Sequence, residues 1–156
     1  MRILVVSDTH GNQNALIRAC TLAGDTDMLI HLGDGESDCD LLLPVFDSNI
    51  IKVAGNCDMG SDAPSELVIE IEGKRVLLTH GDRYYVKSSL EKLIKHGESA
   101  DADLVLYGHT HIPRADLEDN MLVINPGTLC LHSSHRSFAI ITIEDEQVEF
   151  SLHDLT

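Results

Sequence analysis

The chain has 156 residues, 43% of them hydrophobic, with no Trp, three Tyr and three Phe, the composition of a globular protein with an aliphatic core. Its formal net charge of −15 repels phosphate backbones and anionic bilayers, and so excludes broad nucleic-acid or membrane-surface binding. No apolar run approaches the roughly 18 residues that span a bilayer.

The first strand-like run, Ile3 to Val6, ends at Ser7-Asp8 and is too short for a signal peptide. Cys20, Cys39, Cys57 and Cys130 form no CxxC pair, which predicts free thiols in a cytoplasmic protein and no zinc finger. Asn12 to Ala23 carries Leu16, Ile17, Cys20 and Ala23 at helical spacing, with Asn12 or Asn14 as cap and Gly24 as stop. Strands follow at Met28–Ile30 and Ile50–Val53, with a shorter helix expected over Asp38–Val45 between them. Leu67–Ile71 and Arg75–Thr79 flank Glu72-Gly73-Lys74 as a hairpin. Ser88–His96 is a helix that Gly97 should end. Leu104–Leu106 is a further strand, and Ser137–Ile143 with Gln147–Leu152 a second hairpin. The strands are continuous apolar runs, the pattern of strands buried on both faces. Strand–helix alternation with late hairpins predicts one α/β domain over residues 1–156, built on a mixed sheet or two packed sheets.

Five of these strands deliver metal-competent groups just past their carboxyl ends, where open α/β sheets place ligand sites. They are Asp8 and His10, Asp34, Asn56 and Asp58, His80, and His109 with His111. Spacing of two residues in extended chain turns Asp8 and His10 to one side, and likewise His109 and His111. Gly11, Gly33, Gly55, Gly81 and Gly108 flank them, permitting sharp turns. Mixed imidazole, carboxylate and amide donors suit divalent Mn, Fe, Zn, Co or Ni.

The order Asp8-x-His10, Gly33-Asp34, Gly55-Asn56-x-Asp58, His80-Gly81 and Gly108-His109-x-His111 resembles the calcineurin-like metallophosphoesterase superfamily, from residue 3 to about 128. The length, the Gly55-Asn56-Cys57-Asp58 variant and Asn125-Pro126-Gly127-Thr128 resemble its small, stand-alone prokaryotic phosphodiesterase branch. That resemblance implies a four-layer α/β/β/α sandwich of two mixed sheets flanked by helices. It implies two divalent ions, Mn first and Ni, Co, Zn, Fe or Mg as alternatives. Asp8, His10 and His111 would hold one, Asn56, His80 and His109 the other, and Asp34 would bridge them. A hydroxide between ions about 3.5–4 Å apart would attack phosphorus directly. Asn56, Asp58 and His10 are the expected catalytic groups, with Asp58 orienting the imidazole of His10 or a neighbouring ligand.

Two departures follow from the same comparison. Where many members have a proton-donating His, this chain has Cys57, which predicts a preference for good leaving groups and weak phosphomonoesterase activity. Cys57 is then either a small buried neighbour or a contact to substrate. Ser37 stands three residues after Asp34 and the acid Asp38 one later, so no supporting role is expected of Asp38. His31, inside an apolar run, reads as a core residue. His132, His135 and Arg136, beyond the Asn125–Thr128 turn, are either substrate or supporting groups or an exposed loop, with Arg136 suited to a phosphate. The expected substrate is a small phosphodiester in an open, shallow site, with no long nucleic acid and no membrane as partner. Edge strands would support a homo-oligomer, though no residue demands one. A coat-subunit scaffold of the same fold is the competing reading, and the complete ligand set favours catalysis.

Overall fold

The computed structural model describes residues 1–44 and 49–155. In the first sheet β1 (Arg2–Val6) lies in the middle, with β2 (Met28–His31) and β3 (Ile50–Lys52) parallel to it on one side. The second sheet runs β4-β5-β6-β8-β7, from β4 (Glu66–Ile71), β5 (Lys74–Thr79), β6 (Leu104–Tyr107), β7 (Arg114–Glu118) and β8 (Met121–Asn125). Here β5, β6 and β8 are parallel, and β4 and β7 close the edges antiparallel. On the other side of β1, the antiparallel hairpin of β9 (Ser137–Glu144) and β10 (Gln147–Asp154) completes the first sheet.

The side-chain period of two explains the layering. Ile3, Val5 and Ile30 face Val76, Leu78, Leu104 and Leu106 between the sheets, all fully buried. The alternate residues Leu4, Val6 and Leu29 point the other way, under Leu16 and Ala19 of α1 (Gln13–Ala23). Leu77, Val105 and Tyr107 do the same under Leu93 of α2 (Glu91–Ser99). The central strands β1, β2, β5 and β6 are therefore apolar on both faces, which is why their runs read as continuous. The result is the α/β/β/α sandwich of two mixed sheets that the resemblance implied, each buried Leu or Ile contributing roughly 1.5–3 kcal/mol.

The first helix is placed as expected. Asn12 caps it by accepting the Ala15 N–H at 3.3 Å, and Gly24, at φ +68°, ends it. The second helix departs from expectation. It begins at Glu91, whose N–H reaches Ser89 Oγ at 3.1 Å, and Gly97 lies inside it instead of ending it. A Cβ on Gly97 would come within 2.6 Å of Met121 Sδ and 2.8 Å of Val105 Cγ2, so this glycine lets the helix lie close on the sheet. The helix expected over 38–45 is a 3-10 segment, Glu36–Leu42, and Val45 lies outside the described residues. β7 and β8 form a further hairpin that has no alternating signal in the sequence, because β7 (Arg-Ala-Asp-Leu-Glu) is a polar edge strand. The four cysteines are free thiols, and among the described residues no helix is long and apolar enough to cross a membrane.

Replacing Gly97 by Ala should destabilise the protein by about 1–3 kcal/mol through overpacking, although Ala is the better helix former. Urea unfolding checks this, and a gain in stability would show that the sheet has room to give.

Candidate metal centre

The loops leaving β1, β2, β5 and β6 meet at one rim of the sandwich, and there the side chains of Asp8, His10, Asp34, His80, His109 and His111 converge. Asp8 is fully buried. Its Oδ2 accepts the Ser7 hydroxyl at 2.6 Å and the His109 N–H at 3.0 Å. Its Oδ1 is left facing His111 Nε2 at 3.0 Å and His10 Nε2 at 3.8 Å. Asp34 is built on the same plan, with Oδ1 taken by the Cys57 N–H at 2.8 Å and Oδ2 lying 3.4 Å from His80 Nε2 and 3.8 Å from His10 Nε2. His80, fully buried, gives its Nδ1–H to the Leu32 carbonyl at 2.7 Å, which directs Nε2 inward, 3.1 Å from His109 Nδ1.

These donors form overlapping trios: Asp8, His10 and His111; Asp34, His80 and His109; and His10, Asp34 and Cys57. Two ligands each about 2.0–2.1 Å from one ion stand roughly 3.0–3.4 Å apart. The 3.0, 3.1 and 3.4 Å separations of Asp8–His111, His80–His109 and Asp34–His80 meet that spacing. Buried carboxylates crowded among imidazole nitrogens fit a divalent cation, which suits this mixture of groups. Five of the six donor residues are held in the left-handed backbone region: Asp8 at φ +54°, His10 at +45°, Asp34 at +56°, His109 at +66° and His111 at +61°. Such conformations cost on the order of 1–2 kcal/mol each, and they turn the side chains back over the strand ends.

Charge follows from this packing. Burial alone would raise both carboxyls. For Asp8 the His111 hydrogen bond, the His80 charge and the Ser7 hydroxyl outweigh it, and for Asp34 the His80 hydrogen bond and the Cys57 N–H, so both carboxyls sit below the usual range. Burial pulls His80 down, but the Asp34 hydrogen bond and the two carboxylates raise it on balance. The Asp34 carboxylate, with some help from burial, pushes the Cys57 thiol up to about 11.

Other expected residues are placed differently. Asn56 is exposed, and its amide is turned to Cys57 Sγ at 3.4 Å. Cys57 is exposed rather than a buried neighbour, and its Sγ belongs to the trio with His10 and Asp34. Asp58 orients no imidazole. Its carboxylate accepts the backbone N–H groups of Asp34 at 2.7 Å, Gly35 at 2.7 Å and Gly55 at 2.8 Å, and so fixes the loop carrying Asp34. Gly33 and Gly55 let those two loops touch, since a Cβ on Gly33 would lie 2.6 Å from Gly55 N. Asp38, discounted from its spacing, does support the site. It is buried and takes the Thr9 hydroxyl at 2.6 Å and the Gly11 N–H at 2.9 Å, on either side of His10.

His31 is a core residue as read. Its Nδ1 accepts the Gly33 N–H at 3.1 Å, so its Nε2–H serves Thr9 Oγ1, and burial drives its pKa down to about 4. Asn125 and Thr128 brace the site from the second sheet. Asn125 donates to the Gly108 carbonyl at 2.8 Å, and Thr128 to the Asp8 carbonyl at 2.9 Å. His132 borders a cavity of about 340 Å³ beside His10, and His135 and Arg136 border one of about 570 Å³ beside His111.

Comparison with known proteins agrees with this geometry. A family model described as the calcineurin-like phosphoesterase superfamily domain matches residues 1–146. The probable metallophosphoesterase YsnB of Bacillus subtilis is 31% identical over 157 residues, covering 99% of this chain and 91% of that protein. The structure of an archaeal phosphodiesterase superposes with a TM-score of 0.76 at 27% identity, over 98% of this chain and all of its own. Vps29 of Entamoeba histolytica, in complex with zinc, superposes at 0.78 over the whole of both chains, but at 21% identity it shares the fold alone.

Exchanging Asp58 for Asn puts an amide against backbone donors, which should loosen Asp34 and weaken metal affinity about 10- to 100-fold. Calorimetric metal titration, with Asp62→Asn as control, reads this directly. Between about pH 6.5 and 4 the unfolded chain binds a proton at His31 that the folded chain refuses, so stability falls on acidification. His109, held down by burial and the His80 charge, adds to that limb, while His80 is raised and carries its proton in both states there. Urea unfolding of metal-free His31→Gln across this range should show a shallower slope than the parent; an equal slope would reassign the acid sensitivity.

Proposed function

The chain belongs to the calcineurin-like phosphoesterase superfamily, and we propose that it is a phosphodiesterase working with two divalent metal ions. Asp8, His10 and His111 would hold one ion, His80, His109 and Asn56 the other, and Asp34 would serve both. The observation that carries this reading is the paired construction of Asp8 and Asp34, each with one oxygen tied to the scaffold and the other aimed among imidazole nitrogens. When bound, such a pair of ions lowers the pKa of a water between them and neutralises charge growing on the phosphoryl oxygens.

The chain's own residues do the rest. The Leu32 carbonyl sets the His80 tautomer, and Asp58 and Asp38 hold the loops that carry Asp34 and His10. Asn56 would turn its carbonyl oxygen inward from Cys57 to complete the second ion's ligands. His10 and His111, partly open to solvent, form the rim where a substrate phosphate enters. Cys57 offers a short thiol at the edge of the site and its N–H is already spent on Asp34, so the departing alcohol receives little help. Diesters with stable leaving groups are therefore the expected substrates, with Mn the expected metal. The likeness to an archaeal phosphodiesterase supports a diester, and the charge of −15 disfavours long nucleic acid. Four free thiols suit a cytoplasmic setting. The fold likeness to Vps29 is the one support for a scaffold role, and the intact donor set weighs against it.

Chelator-stripped protein should be inactive on bis(p-nitrophenyl) phosphate and regain activity with Mn, Ni, Co, Zn or Mg, with much weaker turnover of p-nitrophenyl phosphate. Asp34→Asn and His80→Ala should each lower the restored rate by at least about 100-fold. A folded protein that binds metal yet hydrolyses neither ester would transfer the weight to the scaffold reading.

A further inference from the structure

We propose that the cavity beside His111 receives the non-reacting ester arm of the diester and selects a flat ring, aryl or nucleoside, over a simple alkyl group. This inference rests on the diesterase reading above. The cavity measures about 570 Å³ and opens between the loop after β6, the segment 133–137 and the end of β10, within the usual range for a small-molecule site. His111 lines it and also belongs to the donor cluster, so a phosphate held among the site's histidines has a substituent within reach of the cavity. A monoester has no group to place there.

The walls carry the selectivity. Ile112 is 64% exposed and Leu152 37% exposed, and with Pro113 they present apolar surface to the cavity. In a protein this acidic, aliphatic surface next to a polar site suits an apolar occupant. The surface is also held still. Thr110 Oγ1 contacts the Ile112 N–H at 3.3 Å and the Ile112 carbonyl at 3.4 Å, and the Asn125 amide reaches Thr110 Oγ1 at 3.1 Å. Across the cavity Arg136 Nη1 lies 3.3 Å from the Leu131 carbonyl and 3.4 Å from the Ser133 carbonyl, so it shapes the segment instead of clamping the reacting phosphate. The Ser133 hydroxyl is donated to the His135 carbonyl at 2.7 Å, and Ser134 also lines the cavity. The cavity on the His10 side is smaller, about 340 Å³, and richer in polar side chains, with Asn12, Gln13, Asn14 and His132 beside Leu131. The two arms of a diester thus meet different surroundings, and the more apolar His111 side suits a ring.

The test uses metal-loaded protein and three diesters sharing the p-nitrophenolate leaving group: methyl p-nitrophenyl phosphate, bis(p-nitrophenyl) phosphate and thymidine 5′-(p-nitrophenyl phosphate). The parent protein should favour the two ring-bearing diesters by about tenfold in kcat/KM, chiefly through KM. Leu152→Ser should bring that ratio to within about twofold, while Leu152→Met, which conserves the apolar volume, should retain it. Calorimetry with benzylphosphonate against methylphosphonate, neither of which has an ester bond to cleave, should give the same ranking without turnover. No ring preference in the parent, or an equal loss on all three diesters in Leu152→Ser, overturns the inference while leaving the diesterase intact. Absence of turnover on every diester with every metal overturns the diesterase reading itself, and this inference with it.

Discussion

Two carboxylates taken out of water govern this structure. Asp8 and Asp34 are buried within 4.0 Å of the same His80 nitrogen, and isolated charges in such a place would cost several kcal/mol each. Every nearby element offsets part of that cost. The Ser7 hydroxyl and the His109 and Cys57 N–H groups each bind one carboxylate oxygen, leaving the remaining oxygens to imidazoles. The five left-handed residues belong to the same constraint, because a strand running straight on would carry these side chains away from one another. Strain of that kind persists only where the surroundings over-determine it. Here the surroundings are two packed sheets whose parallel strands end at one rim.

The fold supplies that rigidity with little ornament. Both sheets place parallel strands at their centres, so the loops that carry Asp8, Asp34, His80 and His109 spring from the best-buried backbone in the molecule. Cross-links between the sheets then set their separation. The His80 Nδ1–H reaches the Leu32 carbonyl, and Thr128 reaches the Asp8 carbonyl, each joining a loop of one sheet to a loop of the other. Removing such a bond would shift half of the donor set relative to the other half, a larger consequence than the loss of one neutral hydrogen bond, about 1 kcal/mol.

The part of this that the residues announced is the part encoded locally. Apolar runs ending in Asp-x-His, Gly-Asp or Gly-His-x-His declare both the strand and the group beyond it, and the six imidazole and carboxylate side chains lie together at one rim. What the chain did not announce depends on backbone atoms from distant loops. Asp58 looked like a partner for an imidazole because metal-bound histidines commonly have one; it instead collects three N–H groups from two loops that meet only in the folded state. Asp38 looked misplaced by one residue, yet the 3-10 segment over Glu36–Leu42 winds more tightly than an α-helix and carries it to Thr9 and Gly11. Gly97 followed the rule for a helix end but answers to the sheet beneath it, and β7, polar and at an edge, has no pattern to declare.

The charge of the protein bears on how such a site can work. At −15 the surface repels a phosphodiester, so long-range steering cannot supply the association rate. Attraction would then have to be local and short-ranged, supplied by any cation that the donor cluster holds. A site of that kind captures what already touches it. Discrimination then falls to contacts with the substrate's remote parts, and at this rim few segments are positioned to make them. The segment from Leu131 to Arg136 lies between the His10 and His111 cavities and borders both, so exchanges there would alter selectivity while the donor set, anchored on the strands, stays where it is.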